Sequence, residues 1–159
     1  MYRTGIGFDV HTLAEDRQLI IGGVKIPHLK GLQGHSDADV LVHAVMDAVL
    51  GALSLGDIGQ HFPDTDVEFK DANSMELLEH VQCLVEEEGF VCTNLDSIIM
   101  AEKPKMAPHL MEMKTNLASA LKINTEQVSV KATTTERLGL IGREEGIAAQ
   151  AIVLLNSIA

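Results

Sequence analysis

The chain has 159 residues, 46% of them apolar, with 12 Lys and Arg against 23 Asp and Glu, a formal net charge of −11. That length is expected to hold one domain with a substantial core. The charge excludes nucleic acid and anionic membrane surfaces as partners, because both need a positive field.

No apolar run reaches the roughly 20 residues of a bilayer span, and no signal pattern opens the chain, so a cytoplasmic location is expected. Cys83 and Cys92 form no C-x-x-C pair and read as reduced thiols without a functional role. With no Trp present, any nucleobase is expected to be read by backbone and small side chains rather than by stacking. An anionic ligand on so acidic a chain must be met by metal ions, helix N-termini and backbone N–H groups.

In chain order, Arg3 to His11 reads as a strand entering a turn, and Gln18 to Pro27 as a hairpin folded at Gly22-Gly23. Asp39 to Leu53 is the strongest helical segment, with Ser36 or Asp37 as its cap, and a loop follows through Asp64. A second helix is expected from Ser74, as N-cap, to Glu88, with Gly89 ending it. Leu95 to Ala101 reads as a strand, broken by Pro104 to Pro108, and Ala107 to Lys122 as a third helix. Val128 to Ala132 and Gly146 to Leu155 read as two late strands joined by a Thr- and Gly-rich loop. This alternation predicts an α+β fold, one sheet with helices on one face. The two late strands carry apolar side chains on both sides, so the second face also needs cover, and self-association is expected.

Asp9 and His11 stand two apart on a strand and project from one face, where they can offer an oxygen and a nitrogen to one cation. The Asp39–Leu53 helix is apolar almost all round, and its polar residues Asp39, His43 and Asp47 fall on one stripe at four-residue intervals. A helix this apolar is buried, so the stripe must find protein partners. Two readings of His43 stand: a hydrogen-bonded core histidine, or the third ligand, with Asp9 and His11, of a zinc site with an open fourth position. Just upstream, His35 and Ser36 lie before a helix N-terminus, a ready place for an anion.

The stretch Asp57-Ile58-Gly59-Gln60-His61-Phe62-Pro63-Asp64-Thr65-Asp66 is ordinary turn chemistry, and equally a loop whose carboxylates and backbone amides suit a polyol. Thr133-Thr134-Thr135-Glu136 either extends a strand or supplies hydroxyls and N–H groups to phosphate, with Glu136 beside a hard cation such as Mg²⁺. Arg143 has a donor fork for phosphate, or pairs with Glu145.

Together, Asp9-Val10-His11, His35-Ser36-Asp37-Ala38-Asp39, His43, Asp57-Ile58-Gly59 with Phe62-Pro63-Asp64-Thr65-Asp66, Pro104-Lys105, and Thr133-Thr134-Thr135-Glu136 with Gly142-Arg143 resemble the 2-C-methyl-D-erythritol 2,4-cyclodiphosphate synthase family. The resemblance runs in order from Gly5 to the last strand. It implies a single-domain α+β sandwich of one mixed sheet, helices on one face and the other face packed in a homotrimer, with active sites between subunits. It implies Zn²⁺ on Asp9, His11 and His43, and a second divalent cation, Mg²⁺ or Mn²⁺, at Glu136. His35 and Thr134 match positions assigned to transition-state stabilisation.

By the same resemblance, Ser36 and the loop Asp57, Ile58, Gly59, Phe62, Pro63, Asp64, Thr65 and Asp66 hold the methylerythritol phosphate. Ala101, Glu102, Lys103, Pro104, Lys105, Met106 and Ala107, with Thr133 and Thr135, hold the cytidine diphosphate. Leu140 and Arg143, with Glu145, match positions near a three-fold axis where an isoprenoid diphosphate is expected. Leu140 is often Phe in the family, and Glu102-Lys103 is more charged than its pattern. The implied reaction closes the substrate's 2-phosphate onto its β-phosphorus and expels CMP. Two alternatives remain: a zinc phosphohydrolase that activates water, and a non-catalytic trimer that binds isoprenoid diphosphates.

Overall fold

The computed structural model describes residues 1–158 and is organised by its first strand, β1 (Tyr2–Ala14). Two three-residue strands, β2 (Leu19–Ile21) and β3 (Val24–Ile26), form the hairpin, and the two-residue β4 (Gly31–Leu32) returns to pair with the end of β1. The chain continues through α1 (Val40–Leu53), one turn of α2 (Ile58–His61), α3 (Ser74–Glu87), β5 (Phe90–Met100), α4 (Leu110–Ala120), β6 (Val128–Thr133), a second single turn α5 (Gly139–Gly142) and β7 (Gly146–Ser157). The sheet runs β4-β1-β7-β5-β6. Among the described residues only the β5–β6 pair is parallel, so the sheet is mixed, as expected. Among the described residues no helix is long and apolar enough to cross a membrane.

Four details differ from the sequence reading. Asp39, rather than Ser36 or Asp37, caps α1, because Ala38 takes a left-handed turn (φ 56°) that leaves the two earlier residues outside the helix. Asn73 caps α3, and Ser74 is its first helical residue. Strand β5 begins at Phe90, ahead of a bulge between Cys92 and Asn94 that interrupts its alternation. The expected loops contain the two short turns α2 and α5, too brief to leave a periodic signal.

The three long helices cover one face. There α1 packs on β1 and β7, α3 on α1 and β5, and α4 on β6. Gly5 and Gly7 make the closest part of this contact: a Cβ on either would strike the carbonyl oxygen of Ala48 or Ala44 in α1. Their side of β1 is therefore set by the helix, and Asp9 and His11, in the same alternation, inherit it. The opposite face leaves Ile6, Phe8 and Val10 of β1 and Ile152 of β7 exposed. At its far edge that face is polar, with Lys131 paired to Asp96, so β6 contributes less apolar surface there than its sequence suggested.

Asp39 ties the α1 N-terminus to the hairpin. Its Oδ1 accepts the N–H of Val42 and of Gly22, and its Oδ2 accepts that of Gly23. Burial pushes its pKa up, to about 6, against these donors. A folded-state value above the ordinary 3.8 means that its contribution is full below about pH 4 and lost as pH rises through about 6. Urea unfolding should therefore show Asp39 costing on the order of 2 kcal/mol between pH 4 and 6.5. In Asp39→Asn that part of the slope should vanish, whatever the variant's overall loss of stability.

Candidate active site

Asp9 and His11 point from β1 toward α1, and one helical position before the Ala44 contact α1 lowers His43 between them. The three ligand-type atoms form a tight triangle: Asp9 Oδ2 lies 2.8 Å from His11 Nε2 and 3.1 Å from His43 Nδ1, and the two nitrogens are 3.1 Å apart. This is the one such group among the described residues with the spacing to hold a metal ion. His43 is thus neither solvated nor merely buried among apolar neighbours.

The donor set fits a divalent cation. The Nδ1–H of His11 donates to the Gln33 carbonyl at 2.8 Å, which leaves Nε2, in the neutral ring, with a bare electron pair facing the triangle. Burial alone would raise the Asp9 pKa, but its hydrogen bonds to His11 and His43 hold the carboxyl at about 2. His11 shifts the other way: burial opposes its charge, and the contact with Asp9 outweighs that and raises its pKa. A tetrahedral ion with ligands at about 2.0–2.1 Å would set these atoms about 3.3 Å apart, close to the spacing seen.

The triangle opens into a cavity of about 420 Å³ lined by His35, Ser36, Ile58, Gly59, Phe62 and Asp64 among others. Five of the nine positions expected to hold the methylerythritol phosphate therefore sit here beside the metal triangle, with His35. Asp57 and Asp66 are instead engaged as caps, accepting from the Gln60 and Glu68 N–H groups, and neither they nor Pro63 and Thr65 line the cavity. Asp47, on the α1 stripe, positions this loop by accepting the Ile58 N–H at 2.8 Å. His35 Nε2 donates to the Asp66 carbonyl. Met46, Phe69 and Leu77 also line the wall. Sequence reasoning missed Met46 and Leu77 because apolar residues at helical spacing look like core, and Phe69 because it stands alone in a short turn.

A second recess lies at the end of β6. Ala101, Glu102, Lys103, Pro104, Lys105, Met106 and Ala107 line it together with Thr133 and Thr134. The adjoining hollow, about 410 Å³, is bordered by Glu102, Thr134, Glu136, Arg137 and Gly142. Glu102 accepts the Arg137 N–H at 2.6 Å, so its unexpected charge serves the loop that carries Glu136. Thr135 donates its hydroxyl to the Leu138 carbonyl and lines neither hollow. Arg143 holds Glu145 through two hydrogen bonds, at 3.0 and 3.2 Å, and Leu140 stands half exposed beside them.

The two regions share no lining residue. Asp9 aligns with Ala149, Ala149 with Ile99, and Ile99 with Ala132. The metal triangle and the β6 end are thus level along the strands but three strand spacings apart, about 14 Å. Within one chain the two halves do not meet.

A family model described as the YgbB family matches residues 2–156. The 2-C-methyl-D-erythritol 2,4-cyclodiphosphate synthase of Chlorobium phaeobacteroides is 61% identical over 97% of both chains. Among solved structures, the bifunctional IspDF of Campylobacter jejuni superposes with a TM-score of 0.95 at 48% identity; it covers 99% of this chain, which spans 42% of that longer one. The IspF of Plasmodium falciparum, solved as a CDP complex, matches with a TM-score of 0.87 at 33% identity, over 99% of this chain and 97% of that one. Sequence, fold and end-to-end coverage agree, and the chain belongs to the YgbB family, alongside the 2-C-methyl-D-erythritol 2,4-cyclodiphosphate synthases.

Proposed function

We propose that the chain converts 4-diphosphocytidyl-2-C-methyl-D-erythritol 2-phosphate into 2-C-methyl-D-erythritol 2,4-cyclodiphosphate with release of CMP, a step of non-mevalonate isoprenoid precursor synthesis. The observation that carries this reading is the convergence of Asp9, His11 and His43 on one point at the mouth of a cavity walled by the Ile58–Asp64 loop.

The substrate supplies its own nucleophile, the 2-phosphate, so no side chain needs to form a covalent intermediate. What the protein must supply is in-line positioning and neutralisation of charge. Zn²⁺ on the three side chains, with Mg²⁺ or Mn²⁺ at Glu136, would offset the repulsion between two phosphates. Around them, His35 and Ser36 face the methylerythritol phosphate from the start of α1, while Ile58, Gly59 and Asp64 read its hydroxyls. Thr133 and Thr134 offer hydroxyls to the nucleotide phosphates, and the Ala101–Ala107 segment offers backbone to the cytosine.

Both halves must reach one diphosphate, whose phosphorus atoms are far closer than the separation seen along the sheet. A homotrimer would meet this need by setting the β6 end of one copy against the metal triangle of the next, and the exposed apolar side chains of Ile6, Phe8, Val10 and Ile152 support it as a surface to be covered. A non-catalytic role in binding isoprenoid diphosphates has less support, because the Arg143 fork is already engaged by Glu145. Incubation of the metal-loaded chain with the diphosphocytidyl substrate tests the proposal. Stoichiometric CMP and cyclic diphosphate are expected, with about one zinc per chain; inorganic or linear phosphate as product would favour a phosphohydrolase instead.

A further inference from the structure

We propose that Asp37, acting through Ser74, is a positioning residue that holds His43 in the tautomer whose Nδ1 is bare toward Asp9 and His11. The inference rests on reading those three side chains as metal ligands, and extends it to two residues that touch neither metal nor substrate cavity.

Asp37 accepts three hydrogen bonds. Its Oδ2 takes the backbone N–H of Ser74 at 3.0 Å, and its Oδ1 takes the Asp39 N–H at 3.2 Å and the Ser74 hydroxyl. A carboxylate only accepts, so the single hydroxyl proton of Ser74 is committed to Asp37. Ser74 is fully buried at the first turn of α3, and its Oγ lies 3.0 Å from His43 Nε2. With its proton spent, that oxygen presents only lone pairs to the ring. Toward Ser74 a bare Nε2 would set lone pair against lone pair, which favours the ring that carries its hydrogen on Nε2 and, when neutral, none on Nδ1. Ser36 Oγ, 3.2 Å from the same nitrogen, accepts the Ala38 N–H and can share the Nε2–H.

The opposite tautomer has its own attraction. An Nδ1–H would donate to Asp9 Oδ2 at 3.1 Å, with the bare Nε2 of His11 equally near, placing a proton where a cation would sit. Asp9 thus draws the ring hydrogen to one nitrogen and the Asp37–Ser74 pair draws it to the other. The backbone holds the second arrangement ready: Asp37 N–H donates to the Ala72 carbonyl, Asp71 N–H donates to that of His35, and Arg17 donates to the carbonyls of Leu32, Gly34 and Ser36. Partners that orient a ligating imidazole through its second nitrogen commonly set metal affinity by about 10- to 100-fold.

In Asp37→Asn the amide can donate to Ser74 Oγ, which frees the hydroxyl to donate to His43 Nε2. In Ser74→Ala the hydroxyl of Ser36 is left to do the same. Long-range ¹H–¹⁵N correlation on the metal-free chain at pH 8 should show His43 as the Nε2–H form in the wild type, and mixed with or replaced by the Nδ1–H form in both variants. Zinc affinity, by competition with a chromophoric chelator, should fall about 10- to 100-fold in both, while Ser36→Ala keeps the Nε2–H form. An Nδ1–H ring in the wild type overturns the proposal without any variant, as does a tautomer that changes with Ser36→Ala alone. Unchanged zinc affinity in both variants, beside a wild type that binds zinc, overturns this inference only. A wild type that binds no zinc overturns the metal reading beneath it.

Discussion

Replacing His43 by Ala is expected to lower CMP release by at least about 10³-fold and to remove the bound zinc. The size follows from the geometry. The triangle has three edges of 2.8 to 3.1 Å, and deleting one corner leaves two ligands, too few for a closed tetrahedral base. Charge stabilisation by a bound cation is worth several kcal/mol in the transition state, and each 1.36 kcal/mol is tenfold in rate. Metal analysis and a coupled CMP assay on the same preparation check both halves of the expectation. The fold should survive, because His43 sits at the cavity rim of α1 and the contacts of Gly5 and Gly7 with Ala48 and Ala44 are untouched. Wild-type turnover in His43→Ala would mean that the triangle is a hydrogen-bonded core feature and that the chemistry lies elsewhere.

The second large effect comes from mixing two inactive proteins. His43→Ala destroys the metal triangle and Glu136→Ala the β6 end, and each alone should be inactive if one site needs both. When the two are unfolded, mixed one to one and refolded together, a site built between neighbours draws its halves at random. A quarter of sites then receive both intact, so about a quarter of wild-type activity should return in a closed ring of copies. If both halves came from one chain, no mixture could restore any activity. The structure favours recovery, since Asp9 and Ala132 are level but three strands apart. Sedimentation of the mixture gives the number of copies directly. A single exposed chain would leave Ile6, Phe8, Val10 and Ile152 as a solvent-facing apolar patch.

Much of this protein was readable in order along the chain. The α1 segment announces burial by being apolar on every side, and its polar stripe announces that Asp39, His43 and Asp47 need partners. Each partner is found: the hairpin N–H groups for Asp39, Asp9 for His43, and the Ile58 N–H for Asp47. The alternation of β1 likewise puts Asp9 and His11 on one side. These are local facts, fixed by helical and strand periods.

Other features depend on what arrives from far along the chain. Ser74 reads from sequence as a helix cap, yet Asn73 caps α3 and the Ser74 hydroxyl turns back to Asp37 and His43. Nothing in its neighbours in sequence could signal that, because the contacts span more than 30 residues. The gap between the metal triangle and Glu136 was equally hidden, since strand order is set by how the sheet assembles and leaves no periodic trace. Periodicity and residue chemistry determined which side chains face inward and which can bind a cation or a phosphate. The tertiary fold alone decided which of them meet, because side chains far apart in sequence become neighbours only through packing of the elements that carry them.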